Sequence, residues 1–189
     1  QQPSLTYEDV EDLDECGLGT ITRTWTATDC AGNSITASQI ATIQDNEAPI
    51  IENVGDDYTV ECPDGPVFSE PTVKDECDQN PSLTYEDDDK TDECGLGDIT
   101  RTWTATDCAG NISTASQTIT IYDNTDPYFN EDLPQDVTEE CDAVTPAATL
   151  TASDLCDTDV KVDMTEERID GDCAGNYKLI RTWTDADCA

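Results

Sequence analysis

The sequence predicts an all-β fold made of tandem β-sandwich repeats with a period of 78–80 residues. Three observations carry this. Blocks of residues recur at that spacing, apolar residues alternate with period two, and no apolar period of 3.6 appears.

The middle repeat gives the elements in order. Residues 58–62, Tyr-Thr-Val-Glu-Cys, alternate as a short strand, and Val67 to Lys74 follows as a second, interrupted by Pro71 as at an edge or bulge. Ser82 to Glu86 is a third. Ile99 to Thr106 is the clearest, with Ile99, Arg101, Trp103 and Ala105 on one face and Thr100, Thr102, Thr104 and Thr106 on the other. After the Cys-Ala-Gly-Asn turn, Ala115 to Tyr122 places Ile119 and Ile121 inward. About six short strands in such a period read as a β-sandwich.

The repeat itself is explicit. Ser4 to Asp9 returns as Ser82 to Asp87; Arg23-Thr24-Trp25-Thr26 returns as Arg101 to Thr104 and as Arg181 to Thr184. Asp29-Cys30-Ala31 returns as Asp107-Cys108-Ala109 and Asp187-Cys188-Ala189. We divide the chain into a partial repeat at 1–48, a complete repeat at 49–127 and a partial repeat at 128–189 that lacks its last strand. The expectation is a segment of a longer tandem array.

Composition limits the function. Acids number 44 against 8 bases in 189 residues, a formal charge of -36, and histidine is absent. This surface repels nucleic acid and anionic membrane. No apolar run is long enough to cross a bilayer. Catalytic triads and zinc sites that need histidine cannot be built, and no carboxylate pair stands out as an active site, so an enzyme is not expected. Leu, Ile, Val and Phe total 32, few enough at this charge to suggest disorder. The ten cysteines oppose that reading. They contain no CxxC pair, so the expectation is a secreted, disulfide-stapled chain at the cell surface or outside the cell.

The blocks at Ile21–Asn33 and Ile99–Asn111 (ITRTWTATDCAGN), and the segment ITIYDNTDPYF at 119–129, resemble the last two strands and linker of HYR-like repeats, immunoglobulin-like modules of large bacterial surface and adhesion proteins. The linkers QDNEAPI and YDNTDPY also resemble the Asp-x-Asn-Asp-Asn-Ala-Pro element of cadherins. The resemblance implies a seven-strand-like immunoglobulin sandwich, head-to-tail repeats and, from cadherins, calcium at each junction. The chain departs from cadherins in its four cysteines per repeat and in lacking their acidic motif on the first strand.

Strand geometry suggests the disulfides. Eight extended residues between Cys94 and Cys108 span about 26 Å, too far for a bond. Alternating strand directions place Cys62 with Cys94 and Cys77 with Cys108, then Cys141 with Cys173 and Cys156 with Cys188. Under this scheme Cys16 and Cys30 are expected to pair with cysteines upstream of Gln1. Sequential pairing, including Cys16–Cys30, is the rival scheme.

The same order sorts the acids. The segment before the Trp strand, read as a loop, carries Glu8, Asp9, Glu11, Asp12, Asp14 and Glu15, and in the middle repeat Glu86, Asp87, Asp88, Asp89, Asp92 and Glu93. Linkers add Asp45, Asn46 and Glu47, then Asp123, Asn124 and Asp126. The first junction also receives Asp75, Glu76, Asp78, Asp107 and Asn111; the second receives Asp154, Asp157 and Asp187. Two carboxylates at 4 Å repel by about 4 kcal/mol at an effective dielectric near 20. Such oxygen-only clusters suit Ca²⁺. The alternative is that they solvate loops.

Trp25, Trp103 and Trp183 recur on the inward face, as core residues or as a sugar-stacking platform. Arg23, Arg101 and Arg181 share that face and either stack on the Trp or pair with an acid. The Thr and Ser rows are a solvated face, a carrier of O-linked sugars or a flat surface-binding array. Asn111-Ile112-Ser113 is an N-glycosylation sequon, although Asn111 could equally serve calcium. The expected function is structural: an extracellular fibre, filament or surface stalk stiffened by disulfides and Ca²⁺, its partners being copies of itself. The alternative is a cell-surface adhesin that binds glycans or a partner protein.

Overall fold

The computed structural model describes residues 2–172 and 175–187. Among these, every regular element is a strand. The first repeat contributes β1 (Ser4–Leu13), β2 (Gly19–Thr28) and β3 (Ser34–Ile43), an antiparallel sheet in that order. The middle repeat contributes β4 (Ile50–Glu52), β5 (Tyr58–Glu61), β6 (Thr72–Lys74), β7 (Ser82–Asp89), β8 (Gly97–Thr106) and β9 (Ile112–Tyr122). Its four-stranded sheet runs β5-β9-β8-β7, and β4 pairs with β6 as a second sheet. The last repeat contributes β10 (Tyr128–Phe129), β11 (Ala152–Ser153), β12 (Lys161–Asp170) and β13 (Tyr177–Ala186), paired as β10-β11 and β12-β13. The all-β architecture expected from the alternation is present, and it is consistent with the immunoglobulin-like sandwich that the resemblance implied.

The described chain forms two compact units that cut across the repeat borders. One comprises Gln1–Asp56, Phe68–Asp87 and Thr100–Gln117; the other comprises Asp57–Val67, Asp88–Ile99 and Thr118–Ala189. In the first unit Trp103 and Ala105 are buried, so the inward Trp of the middle repeat is a core residue. The edge of its ring system meets Phe68, with centroids 6.5 Å apart. Buried Gln117 ties segments without strand pairing together: its Nε2 donates to the Asp56 carbonyl at 2.8 Å and its Oε1 accepts from the Ser69 amide at 3.0 Å. In the second unit β5 pairs parallel with the end of β9, Tyr58 opposite Ile119, which is fully buried.

Two expected elements are different in the structure. Val67 to Lys74 is a strand only over Thr72–Lys74, because Pro71 removes a ladder donor and the Val67 amide instead donates to the Tyr58 hydroxyl at 2.9 Å. The acidic segments before the Trp strands are mostly strand, not loop. β1 pairs with β2 along its whole length, and β7 extends to Asp89. Cross-strand attraction overrides the poor strand propensity of the acids: Asp9 lies opposite Arg23 and Glu166 opposite Arg181. The hairpin then turns at Gly97, where φ is 135° and a Cβ would lie 2.7 Å from the Lys90 carbonyl oxygen.

Candidate metal centre

A recurrent turn places the acids and cysteines. Asp14 Oδ1 accepts from the amides of Cys16 and Leu18, both at 2.9 Å, and Asp92 Oδ1 does the same for Cys94 and Leu96 at 2.9 and 3.0 Å. Asp75 Oδ1 accepts from the amides of Cys77 and Asp78 at 2.8 Å. Asp154 Oδ1 accepts from those of Cys156 and Asp157 at 2.6 and 3.0 Å. Each Asp-x-Cys unit therefore commits one carboxylate oxygen to its own backbone and holds its cysteine in a fixed turn.

The second oxygen of Asp154 is different. Oδ2 is buried and, among the described residues, accepts no hydrogen bond. Ligand atoms of Asp123, Asp154 and Asp187 all lie within 4.8 Å of one another, and all three residues are half-buried. Asp123 comes from the linker after β9, where its Oδ1 accepts from the Thr125 amide at 2.9 Å. Asp154 comes from the loop after β11 and Asp187 follows β13. Backbone donation from Cys156 and Asp157 outweighs desolvation and holds the Asp154 carboxyl below its ordinary pKa, so it is ionised at neutral pH. An ionised, unpartnered oxygen beside two further carboxylates is a binding position for a hard cation.

The preceding repeat groups the equivalents of Asp123 and Asp154, but with a cysteine in the third place and not Asp107, the equivalent of Asp187. Asp45, Asp75 and Cys77 also lie within 4.8 Å of one another. Desolvation, with the charges of Asp45, Asp75, Glu76 and Glu47, pushes the Cys77 thiol up, so it stays protonated and is a poor metal ligand beside those carboxylates. Glu47 donates its amide to Asp45 Oδ1 at 3.1 Å. Asp107 is buried; desolvation raises its pKa, but the Asn111 side chain and amide, with the Gly110 and Ala109 amides, lower it further, and the net shift is downward. Asn111 Nδ2 donates to Asp107 Oδ2 at 2.8 Å, so the nitrogen that a glycan would take is engaged. Asp78 and Asp157 cap the next turn, accepting from the Asn80 and Asp159 amides. Asn46, Asn124 and Asp126 are exposed.

Asp87, taken above as a calcium ligand, is otherwise engaged. Arg101 grips it in a fork, Nε to Oδ1 and the terminal nitrogen to Oδ2, both at 2.7 Å. The guanidinium also stacks 4.0 Å from the Tyr85 ring and 4.3 Å from that of Phe68. Of the two expected roles for Arg101, pairing with an acid holds, and the stacking is on Tyr and Phe. Arg23 repeats the pattern with Asp9 and Tyr7. Glu86 stays exposed on β7.

The disulfides overturn the pairing expected from the sequence. Cys16 is bonded to Cys108, with Cα atoms 5.8 Å apart, and Cys62 to Cys156, with Cα atoms 5.5 Å apart. Hence neither Cys77–Cys108 nor Cys62–Cys94 forms, and Cys156 is not joined to Cys188. Cys94 is in a disulfide as well. Cys30, Cys77 and Cys141 are exposed free thiols, so Cys141 is not joined to Cys173 and Cys16 is not joined to Cys30. Cys173 and Cys188 lie outside the described residues. The expectation assumed that each repeat closes its own cysteines. The bonds instead join a turn in one repeat to a turn in the next, as the sequence offsets of 92 and 94 residues show. Those offsets exceed one period, and Cys16 finds its partner downstream and not before Gln1; no local pattern in the sequence marks either bond.

Residues 50–121 match the family model described as a HYR-like domain with 4 cysteines. No curated protein matches the chain. Among solved structures, the chain aligns with the protocadherin gamma B4 extracellular domain at 16% identity and TM-score 0.31, covering 95% of this chain and 37% of that one. It aligns with protocadherin gamma B2 extracellular cadherin domains 1–5 at 17% and 0.33, covering 95% and 45%. With gamma B7 domains 1–4 the values are 16% and 0.31, covering 98% and 56%. The chain thus spans about half the length of these structures or less.

Proposed function

We propose that a chain whose middle repeat matches a four-cysteine HYR-like domain serves as a structural segment of an extracellular tandem-repeat fibre or surface stalk, stiffened by disulfides and by Ca²⁺. The coarser part of this, an adhesion-type or structural role outside the cell, is supported by that match and by the disulfides. The finer part is carried by one observation: the buried Asp154 Oδ2 has no hydrogen-bond partner among the described residues and sits with Asp123 and Asp187. Three carboxylates this close repel one another when ionised, and burial denies them full screening. A divalent cation relieves both costs. The donors are all oxygen, which favours Ca²⁺ over Zn²⁺ or Cu²⁺. Asp123, Asp154 and Asp187 would hold the ion; Asp45 and Asp75 are the corresponding residues one repeat earlier.

The chemistry such an ion supplies is mechanical. Held by Asp123 in the linker after β9, Asp154 in the loop after β11 and Asp187 after β13, it would neutralise acids that three separate segments bring together. The strongly negative surface keeps such arrays from bundling.

Calcium titration followed by differential scanning calorimetry tests this. At a dissociation constant of about 0.5 mM, 5 mM Ca²⁺ stabilises by about 1.4 kcal/mol relative to chelator and raises the melting temperature by a few degrees. Identical melting in Ca²⁺ and in chelator overturns the calcium element.

A further inference from the structure

We infer that Cys30, Cys77 and Cys141 are covalent docking points, each taking a cysteine of a further repeat of the same class. All three are exposed free thiols. Each has a counterpart one period away that is bonded across repeats. Cys30 corresponds to Cys108 in the shared Asp-Cys-Ala-Gly-Asn block, and Cys108 is bonded to Cys16. Cys77 corresponds to Cys156, and Cys141 to Cys62, and those two are bonded to each other. Cys94, the counterpart of Cys16, is also in a disulfide.

The turns match as well. Asp75 Oδ1 holds the Cys77 amide at 2.8 Å as Asp154 Oδ1 holds that of Cys156 at 2.6 Å. Asp29 Oδ1 accepts from the Asn33 amide at 2.9 Å, as Asp107 Oδ1 accepts from that of Asn111 at 2.7 Å, on either side of Cys30 and Cys108. Cys30 and Cys77 are thus held in turns closed as those of their bonded counterparts are, whereas no strand leads into Cys141 as β5 leads into Cys62. A disulfide tolerates little error in Cα separation, so a preset turn removes much of the cost of forming one.

The pairing rule follows. Cys30 takes a cysteine in an Asp-Glu-Cys-Gly turn, like Cys16. Cys77 takes one at the end of a Val-Glu-Cys strand, like Cys62. Cys141 takes one in an Asp-x-Cys turn, like Cys156. Each bond forms by thiol–disulfide exchange with a low-molecular-weight disulfide: two protein thiols lose two protons and two electrons, and the oxidant leaves as two thiols. Repeats of this class are then cross-linked to both neighbours, and covalent continuity does not depend on the backbone alone. This extends the array reading and is independent of its calcium element.

The test is disulfide mapping of the protein in its native assembly. Free thiols are blocked with iodoacetamide in denaturant without reductant, the chain is cut with an aspartate- or glutamate-specific protease, and linked peptides are identified by mass spectrometry. The expected result is Cys30, Cys77 and Cys141 unalkylated and joined to peptides of the three sequence types named. Recovery of these residues alkylated, capped by glutathione or joined to one another overturns the inference. If Cys16–Cys108 and Cys62–Cys156 are intact in that case, the array reading survives; if they too are missing, it falls as well.

Discussion

Cys16 and Cys108 are bonded across 92 residues of chain with their Cα atoms 5.8 Å apart, and each is presented by a turn closed by a nearby aspartate, Asp14 or Asp107. The bond therefore connects two preset turns in different repeats. Because the loop that it closes is long, it removes much freedom from the unfolded chain.

Replacing Cys16 by Ser should cost about 4.5 kcal/mol in the chain-entropy description of a loop this long. Cys108→Ser should cost the same, and the double variant little more, since either change alone opens the loop. Urea unfolding under non-reducing conditions measures this; a loss well under about 1 kcal/mol would show that the bond does not constrain the unfolded chain.

Asp154→Asn keeps an oxygen to cap the Cys156 turn but removes the charge from the cluster. We expect Ca²⁺ affinity to fall about tenfold or more, with stability in chelator unchanged or slightly higher because one repulsive charge is gone. Isothermal titration and thermal melting in chelator separate these effects. A purely structural role for Asp154 predicts the reverse: lower stability and no change in affinity.

Asp87→Asn leaves Arg101 stacked between Tyr85 and Phe68, whereas Arg101→Ala removes both the pair and the stack. The first should cost about 0.5–1 kcal/mol and weaken with added salt; the second should cost about 1–2 kcal/mol and respond less to salt. Equal salt-dependent losses would show that the aromatic contacts contribute nothing.

Acid should destabilise the metal-free chain. Arg23 holds Asp9 below its ordinary pKa, Asn33 does so for Asp29, and Arg101 for Asp87. A carboxyl depressed in the folded state stabilises above its unfolded value, about 3.9, and this contribution is lost as pH falls through the lower folded value. Urea midpoints in chelator should therefore be level from pH 7 to about 5 and decline below about 4. A midpoint that rises on acidification would mean that relief of the net negative charge dominates.

Trp103, 3% exposed, packs against Phe68 in the core of the first unit. Trp103→Ala should cost about 3–5 kcal/mol. Unfolding followed by near-ultraviolet circular dichroism checks it, and a change under about 1 kcal/mol would exclude Trp103 from the core.

Local rules made much of this legible in the residues alone. Period-two alternation from Ile99 to Ala105 identified β8 and its buried face, and the recurrent Trp strand located its relatives. Residue type and linker position placed Asp123, Asp154 and Asp187 among a wider set of candidate ligands, because carboxylates at strand ends and linkers converge whenever strands alternate in direction; only the fold drew those three together. Asp87 misled, since its partner Arg101 lies fourteen residues away across a hairpin, and no local pattern distinguishes an acid that faces an arginine from one that faces a cation. Disulfide pairing was decided by tertiary structure alone: a bond needs two Cα atoms within about 7 Å, and nothing short of the folded chain shows which turns of which repeats approach that closely. Sequence determined the strands, their faces and the acidic composition of the junctions, which depend on neighbours a few residues away. The fold decided which carboxylate oxygen is left without a donor and which cysteines meet, because those depend on residues a full period apart.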